Sequence, residues 1–163
     1  MLFKKLHRQK VAEVKRLNIY ISDKFHQIIF APTHNNFAGI NYEQEECFAH
    51  DLPMSESEIG QSAINCWNLF SIKDKNLRDN KPSDWPAFKK SKAKTIRSFE
   101  FDYIRLSLRG ESESNIILII EGLPNKDSDL SVTSVISAYT EKINIGDRIL
   151  KVYEACRTGK LTN

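Results

Sequence analysis

Glycine is scarce in this chain, with six in 163 residues. None of the patterns GxGxxG, GxxxxGK(S/T) or GxSxG occurs. That leaves out the backbone cradle that holds a phosphate and the strained turn that presents a nucleophilic serine. Lys160 follows Gly159, but no loop glycine stands upstream at the spacing a phosphate loop needs. Cysteine is equally sparse. Cys47, Cys66 and Cys156 make an odd count without CxxC spacing. They read as small buried hydrophobes in a reducing compartment, which predicts a cytoplasmic protein. The four histidines, His7, His26, His34 and His50, have no partner three or four residues away, so no helix face offers a metal two ligands. No apolar run approaches the roughly 20 residues of a membrane span. The opening MLFKKLHRQK has charge but no apolar core or small-residue cleavage site, so it predicts no secretory signal.

What is present is a chain with 40% hydrophobic and 28% charged residues, enough for one globular domain over 1–163 with a sizeable core. The net charge is only +3, but it is laid down in blocks. Residues 1–16 hold six basic residues against Glu13. Residues 43–58 hold Glu43, Glu45, Glu46, Asp51, Glu56 and Glu58 with no lysine or arginine. Residues 73–97 hold nine basic residues against three aspartates. A charge run is usually a solvated face, yet three alternating blocks also suit a surface complementary to a partner.

Periodicity supplies the elements. Residues 17–31 alternate as two short strands, with Pro32 expected to end the second because it cannot donate to a ladder. Residues 33–54 read as a loop with one or two short strands, and His34 falls in it. Ser55 with Glu58 forms a capping-box pattern ahead of a helix over 56–70. Lys81-Pro82-Ser83-Asp84 predicts a turn into a short helix whose apolar side is Trp85 and Phe88. Residues 97–109 alternate as one or two half-buried strands. NIILIIE (115–121) reads as a central strand buried on both faces. A strand over 130–138 follows a loop over 122–129. Asn144 is a candidate cap for a helix over 145–157, with Gly159 just past its end.

The two long helices share a pattern. Ile59, Ala63, Cys66, Trp67 and Phe70 recur 86 residues later as Ile145, Ile149, Val152, Tyr153 and Cys156, and Gly60 recurs as Gly146. That spacing is one face of an α-helix. With strands preceding each helix, the order predicts an α+β fold: a mainly antiparallel sheet packed with helices, in two similar strand-strand-helix halves. The halves span 17–70 and 101–157, joined by a basic connector over 71–97.

No catalytic constellation emerges. The carboxylates of 43–58 read as an exposed cluster, whereas paired acid–base work needs one of them desolvated. The chain is therefore expected not to be an enzyme and to need no cofactor or metal. One binding alternative is nucleic acid, gripped by the lysines and arginines of 73–97 with Trp85 and Phe88 for stacking.

Several segments together point elsewhere. They are DKF at 23–25, SESEIGQSAI at 55–64, SDWPAFKKSKAKTIRSFEF at 83–101, NIILIIEG at 115–122 and IGDRILKVYEACR at 145–157. In this order they resemble the immunity proteins of bacterial contact-dependent growth inhibition systems, over residues 17–157. The resemblance implies a cytoplasmic, non-enzymatic antitoxin. Its partner would be the cognate C-terminal toxin domain of a surface-delivered effector, commonly a nuclease acting on RNA. A nuclease presents a basic cleft, so Glu43, Glu45, Glu46 and Asp51 are the expected toxin-binding residues.

Overall fold

A computed structural model describes residues 13–75, 84–124 and 130–160. The turn expected at Lys81-Pro82-Ser83 and part of the loop expected at 122–129 lie outside them. The elements run β1 (Arg16–Ser22), β2 (Gln27–Asn35), β3 (Asn41–Glu43), β4 (Phe48–Asp51), α1 (Glu56–Trp67), β5 (Ser71–Ile72), α2 (Pro86–Lys90), α3 (Ile96–Asp102), β6 (Ile104–Gly110), β7 (Ile117–Gly122), β8 (Val132–Ser137) and α4 (Lys142–Thr158). The sheet order is β3-β2-β1-β6-β7-β8, with β4 and β5 also pairing β2. Every pairing is antiparallel except β2 with β5. The α+β fold expected from the sequence is the one observed.

Alternation sorts the strand residues onto two faces. Leu17, Ile19, Ile21, Ile28, Phe30, Leu106, Leu108, Leu118 and Ile120 point to one side. There they meet Ile59, Ala63 and Trp67 of α1 and Ile145, Ile149, Val152 and Tyr153 of α4. Tyr20, Ile29 and Ala31 point to the other side and are covered by Ala87, Phe99 and Tyr103. The sheet is therefore the middle layer between the long helices and, over β1 and β2, the short ones.

The 86-residue spacing has a geometric counterpart. β1-β2-β4-α1 and β6-β7-β8-α4 follow the same order, and β1 and β6 pair at the centre of the sheet. The two long helices cross backbone to backbone. A Cβ added to Gly60 would lie 1.8 Å from the Lys142 carbonyl oxygen, and one on Gly146 would lie 1.8 Å from the Glu56 carbonyl oxygen. Residues 56 and 142 differ by the same 86 as 60 and 146, so each helix offers the other the same patch. Only glycine permits that approach.

The capping box forms as expected. The Ser55 hydroxyl accepts from the Glu58 N–H at 3.3 Å, and the Ser55 N–H donates to the Glu58 carboxylate at 2.9 Å. Gly159 closes α4 with φ of 69°, the left-handed conformation of a helix C-terminus. The three cysteines are free and buried. Burial pushes the Cys66 and Cys156 thiols up to about 11.

Other expectations are corrected. β2 runs through Pro32 to Asn35, so His34 lies in a strand rather than a loop. The Pro32 carbonyl accepts from the Gln44 N–H at 2.7 Å, so its missing donor faces the gap between β3 and β4, where no ladder bond is lost. Residues 96–102 are helix, not strand. The Thr95 hydroxyl caps the Ser98 N–H at 3.1 Å, and Phe99 and Tyr103, four apart, turn the same way while Phe101 is 80% exposed. β7 lies next to the edge and is buried on one face only. α1 stops at Trp67, so Phe70 falls outside the shared helix face. α4 begins at Lys142, which puts Asn144 inside it.

Candidate functional site

The acidic stretch runs through the end of β3, the loop that follows and β4 at the edge of the sheet, and into the first turn of α1, which holds Glu56 and Glu58. It does not present its charges as one surface. Glu43 is turned inward and is 9% exposed. One carboxylate oxygen accepts from Asn18 Nδ2 at 2.9 Å and from the Tyr20 hydroxyl. The other accepts from Trp85 Nε1 at 2.9 Å and from the Ala87 N–H at 3.3 Å. These four donors come from β1 and from the start of α2, so Glu43 pins the second layer to the sheet. The expectation that Glu43 belongs to an exposed cluster is thereby corrected. Burial, and then the adjacent Glu43 charge, raise the Tyr20 phenol well above its ordinary range.

The remaining acidic residues are exposed, and two of the five, Glu45 and Asp51, carry their own counterions. Lys75 Nζ lies 2.5 Å from Glu45, and Lys92 Nζ lies 2.6 Å from Asp51. These contacts hold both carboxyls below the usual range. Lys73 donates to the Gln44 side chain at 3.1 Å. Glu58 is engaged by the Ser55 hydroxyl and N–H, which lower its pKa. Only Glu46 and Glu56 of the block have no polar partner among the described residues. The acidic stretch and the basic segment, separate in sequence, thus meet through two ion pairs and a lysine–glutamine hydrogen bond, which neutralise the acidic edge in part. Such exposed pairs are worth about 0–1 kcal/mol each, so they set the local charge more than the stability.

The aromatic residues of the basic segment are used as anchors. Trp85 meets Phe99 at 5.0 Å and Tyr20 at 6.0 Å between ring centroids, and Phe88 meets Phe99 at 5.8 Å. Their rings complete the second core, and nothing supports a stacking platform for bases. Among the described residues no group of three or more His, Cys, Asp or Glu is placed to hold a metal ion. His34 is buried, its Nε2 2.7 Å from the Lys75 carbonyl and its ring stacked on Tyr42. No helix among the described residues is long and apolar enough to cross a membrane.

One concavity was not foreseen from sequence. A cleft of about 990 Å³ opens between α3, the start of β8 and the end of α4, with Phe101, Ile104, Leu130, Thr133, Cys156 and Lys160 on its walls. Its walls come from segments roughly 30 residues apart in sequence, near 101, 131 and 157, so no local pattern marks it.

No protein-family model matches the chain, and no curated protein matches it. Solved structures do. A protein of unknown function from Neisseria meningitidis superposes with a TM-score of 0.65 at 12% identity, covering 96% of this chain and 100% of that one. A chain of the CdiA-CT/CdiI toxin and immunity complex from Yersinia pseudotuberculosis superposes with a TM-score of 0.62 at 8% identity, covering 91% of this chain and 100% of that one. At these identities the likeness is one of fold, and a component of a toxin–immunity complex shares the architecture of this chain over nearly its whole length.

Proposed function

We propose that this chain is an immunity protein of a contact-dependent growth inhibition system. It acts in the cytoplasm, without catalysis, by binding and neutralising the C-terminal toxin domain of its cognate effector, a nuclease. The observation that carries this reading is the shared fold with a chain of a toxin–immunity complex over 91% of the length. The ordered segments between 17 and 157 that resemble such immunity proteins support it from sequence. The physics is consistent. An inhibitor of an incoming toxin needs fast capture, which surface charge accelerates, and slow release, which a desolvated centre provides.

The acidic edge is one proposed contact, through Glu45, Glu46 and Asp51, with Glu43 supporting it from beneath. Reversing the three exposed charges together tests it, and an unchanged association rate and affinity for the toxin domain would remove it. The function itself is tested by co-expressing the chain with the toxin domain encoded beside it. Growth is rescued and the two copurify as a complex. Failure of both, with the chain folded, refutes the reading.

A further inference from the structure

The outer face of the sheet is covered over only part of its width. α2 and α3 shield β1 and β2. Among the described residues nothing comparable shields β6, β7 and β8, whose outward side chains stay half-buried or exposed. The strand registers set these side chains in rows. One row is Arg16, Arg109, Ile119 and Val135 across β1, β6, β7 and β8. The next is Asn18, Ser107, Glu121 and Thr133. Arg105 stands opposite Tyr20 on the same face. At about 4.8 Å between strands, each row is roughly 14 Å long.

Arg16 and Arg109 face each other directly across β1 and β6, and like charges so placed weaken a sheet. Burial, then Arg109 and Arg105, lower the Arg16 pKa, and Glu121 offsets this only in part. None of the three guanidinium groups makes a hydrogen bond or ion pair among the described residues. Lys75 and Lys92 at the acidic edge have carboxylate partners, whereas here two arginines stand directly opposite each other with none among the described residues, against the cross-strand preference for opposite charges. Local rules are broken mainly where function requires it.

We propose that this half-bare face is a docking surface for a protein partner presenting a carboxylate-rich patch, with Arg16, Arg105 and Arg109 as its centre. The planar guanidinium forks match carboxylates in bidentate fashion, and Ile117, Ile119 and Val135 supply an apolar border. Val135 alone is 56% exposed. A polyanion is a poorer match. Among the described residues three cations are few for a phosphate track, Glu121 interrupts the field, and the two rows carry no aromatic ring for stacking. A second copy stacked on this face would set arginine against arginine. Naming the partner as the toxin domain rests on the immunity reading.

The test uses Arg105→Gln and Arg109→Gln, singly and together, in the full chain. Both relieve like-charge repulsion, so their urea midpoints match or exceed the parent's, which separates lost binding from lost folding. Against the toxin domain encoded beside this chain, the double variant binds at least about tenfold more weakly, with slower association and a flatter salt dependence. Binding equal to the parent's overturns the proposal. If the parent itself does not bind the toxin domain, the immunity reading fails and poly-L-glutamate judges the surface alone. Retention by the parent that is lost in the double variant supports the surface, and any other result overturns it. A short single-stranded RNA that binds more tightly than polyglutamate, and releases in the double variant, overturns the assignment to a protein partner.

Discussion

The crossing of α1 and α4 gives the sharpest quantitative expectation. Replacing Gly60 with alanine puts a Cβ 1.8 Å from the Lys142 carbonyl oxygen, where real Cβ contacts stay beyond 3.0 Å. The helices must therefore separate by at least 3.0 − 1.8 = 1.2 Å. The obstacle is backbone, so no rotamer change relieves it. Separation loosens the contacts of Ile59 and Ala63 with Ile145 and Ile149 in the main core. Overpacking of this kind costs about 1–3 kcal/mol, and the upper end applies because two helix backbones must move. Alanine returns up to about 1 kcal/mol of helix propensity. The net loss is about 1–2 kcal/mol, or a fall in Tm of about 2–8 °C for a chain of this size. Gly146→Ala behaves alike, since it meets Glu56 in the same geometry. The double variant loses less than the sum, because the opening made for one methyl already admits the other. Urea titration and thermal melts of the three variants measure this. An alanine at either position that leaves stability unchanged or raises it, as propensity alone would, refutes the close crossing.

Glu43→Gln keeps the shape but turns an amide donor toward donors from Asn18, Tyr20, Trp85 or Ala87. It costs about 1–3 kcal/mol of stability and shifts the Trp85 fluorescence, and a urea midpoint equal to the parent's contradicts the network. Alkaline pH destabilises the fold. The raised Cys66, Cys156 and Tyr20 values mean that the folded state holds protons the unfolded state releases. This stability is fully present below pH 9.0, the ordinary thiol value, and is lost as pH rises toward about 11. A urea midpoint flat from pH 8 to 11 contradicts it. Glu45→Gln and Asp51→Asn, which remove exposed ion pairs with Lys75 and Lys92, each change stability by less than about 1 kcal/mol. A larger effect in urea titration would mean that those pairs are shielded from solvent.

The sequence by itself determined what local chemistry decides. Ser55 and Glu58 cap α1 because their partners are three residues apart. Gly159 ends α4 because a helix C-terminus favours a left-handed residue, and the shared faces of the long helices follow from a 3.6-residue period. The segment 96–102 was the local failure, since alternation of Phe99, Phe101 and Tyr103 fits a strand unless the Thr95 cap is given weight. The candidate site was hardly legible. Glu43 is inward because Asn18, Tyr20, Trp85 and Ala87 converge on it, and none of them adjoins it in sequence. Glu45 and Asp51 acquire counterions 30 and 41 residues downstream. Arg16 meets Arg109 only through the pairing of β1 with β6. Charge acts through space and side-chain orientation through register. The tertiary structure alone therefore decided which charges are buried, which are neutralised and which stand unpaired on an open face.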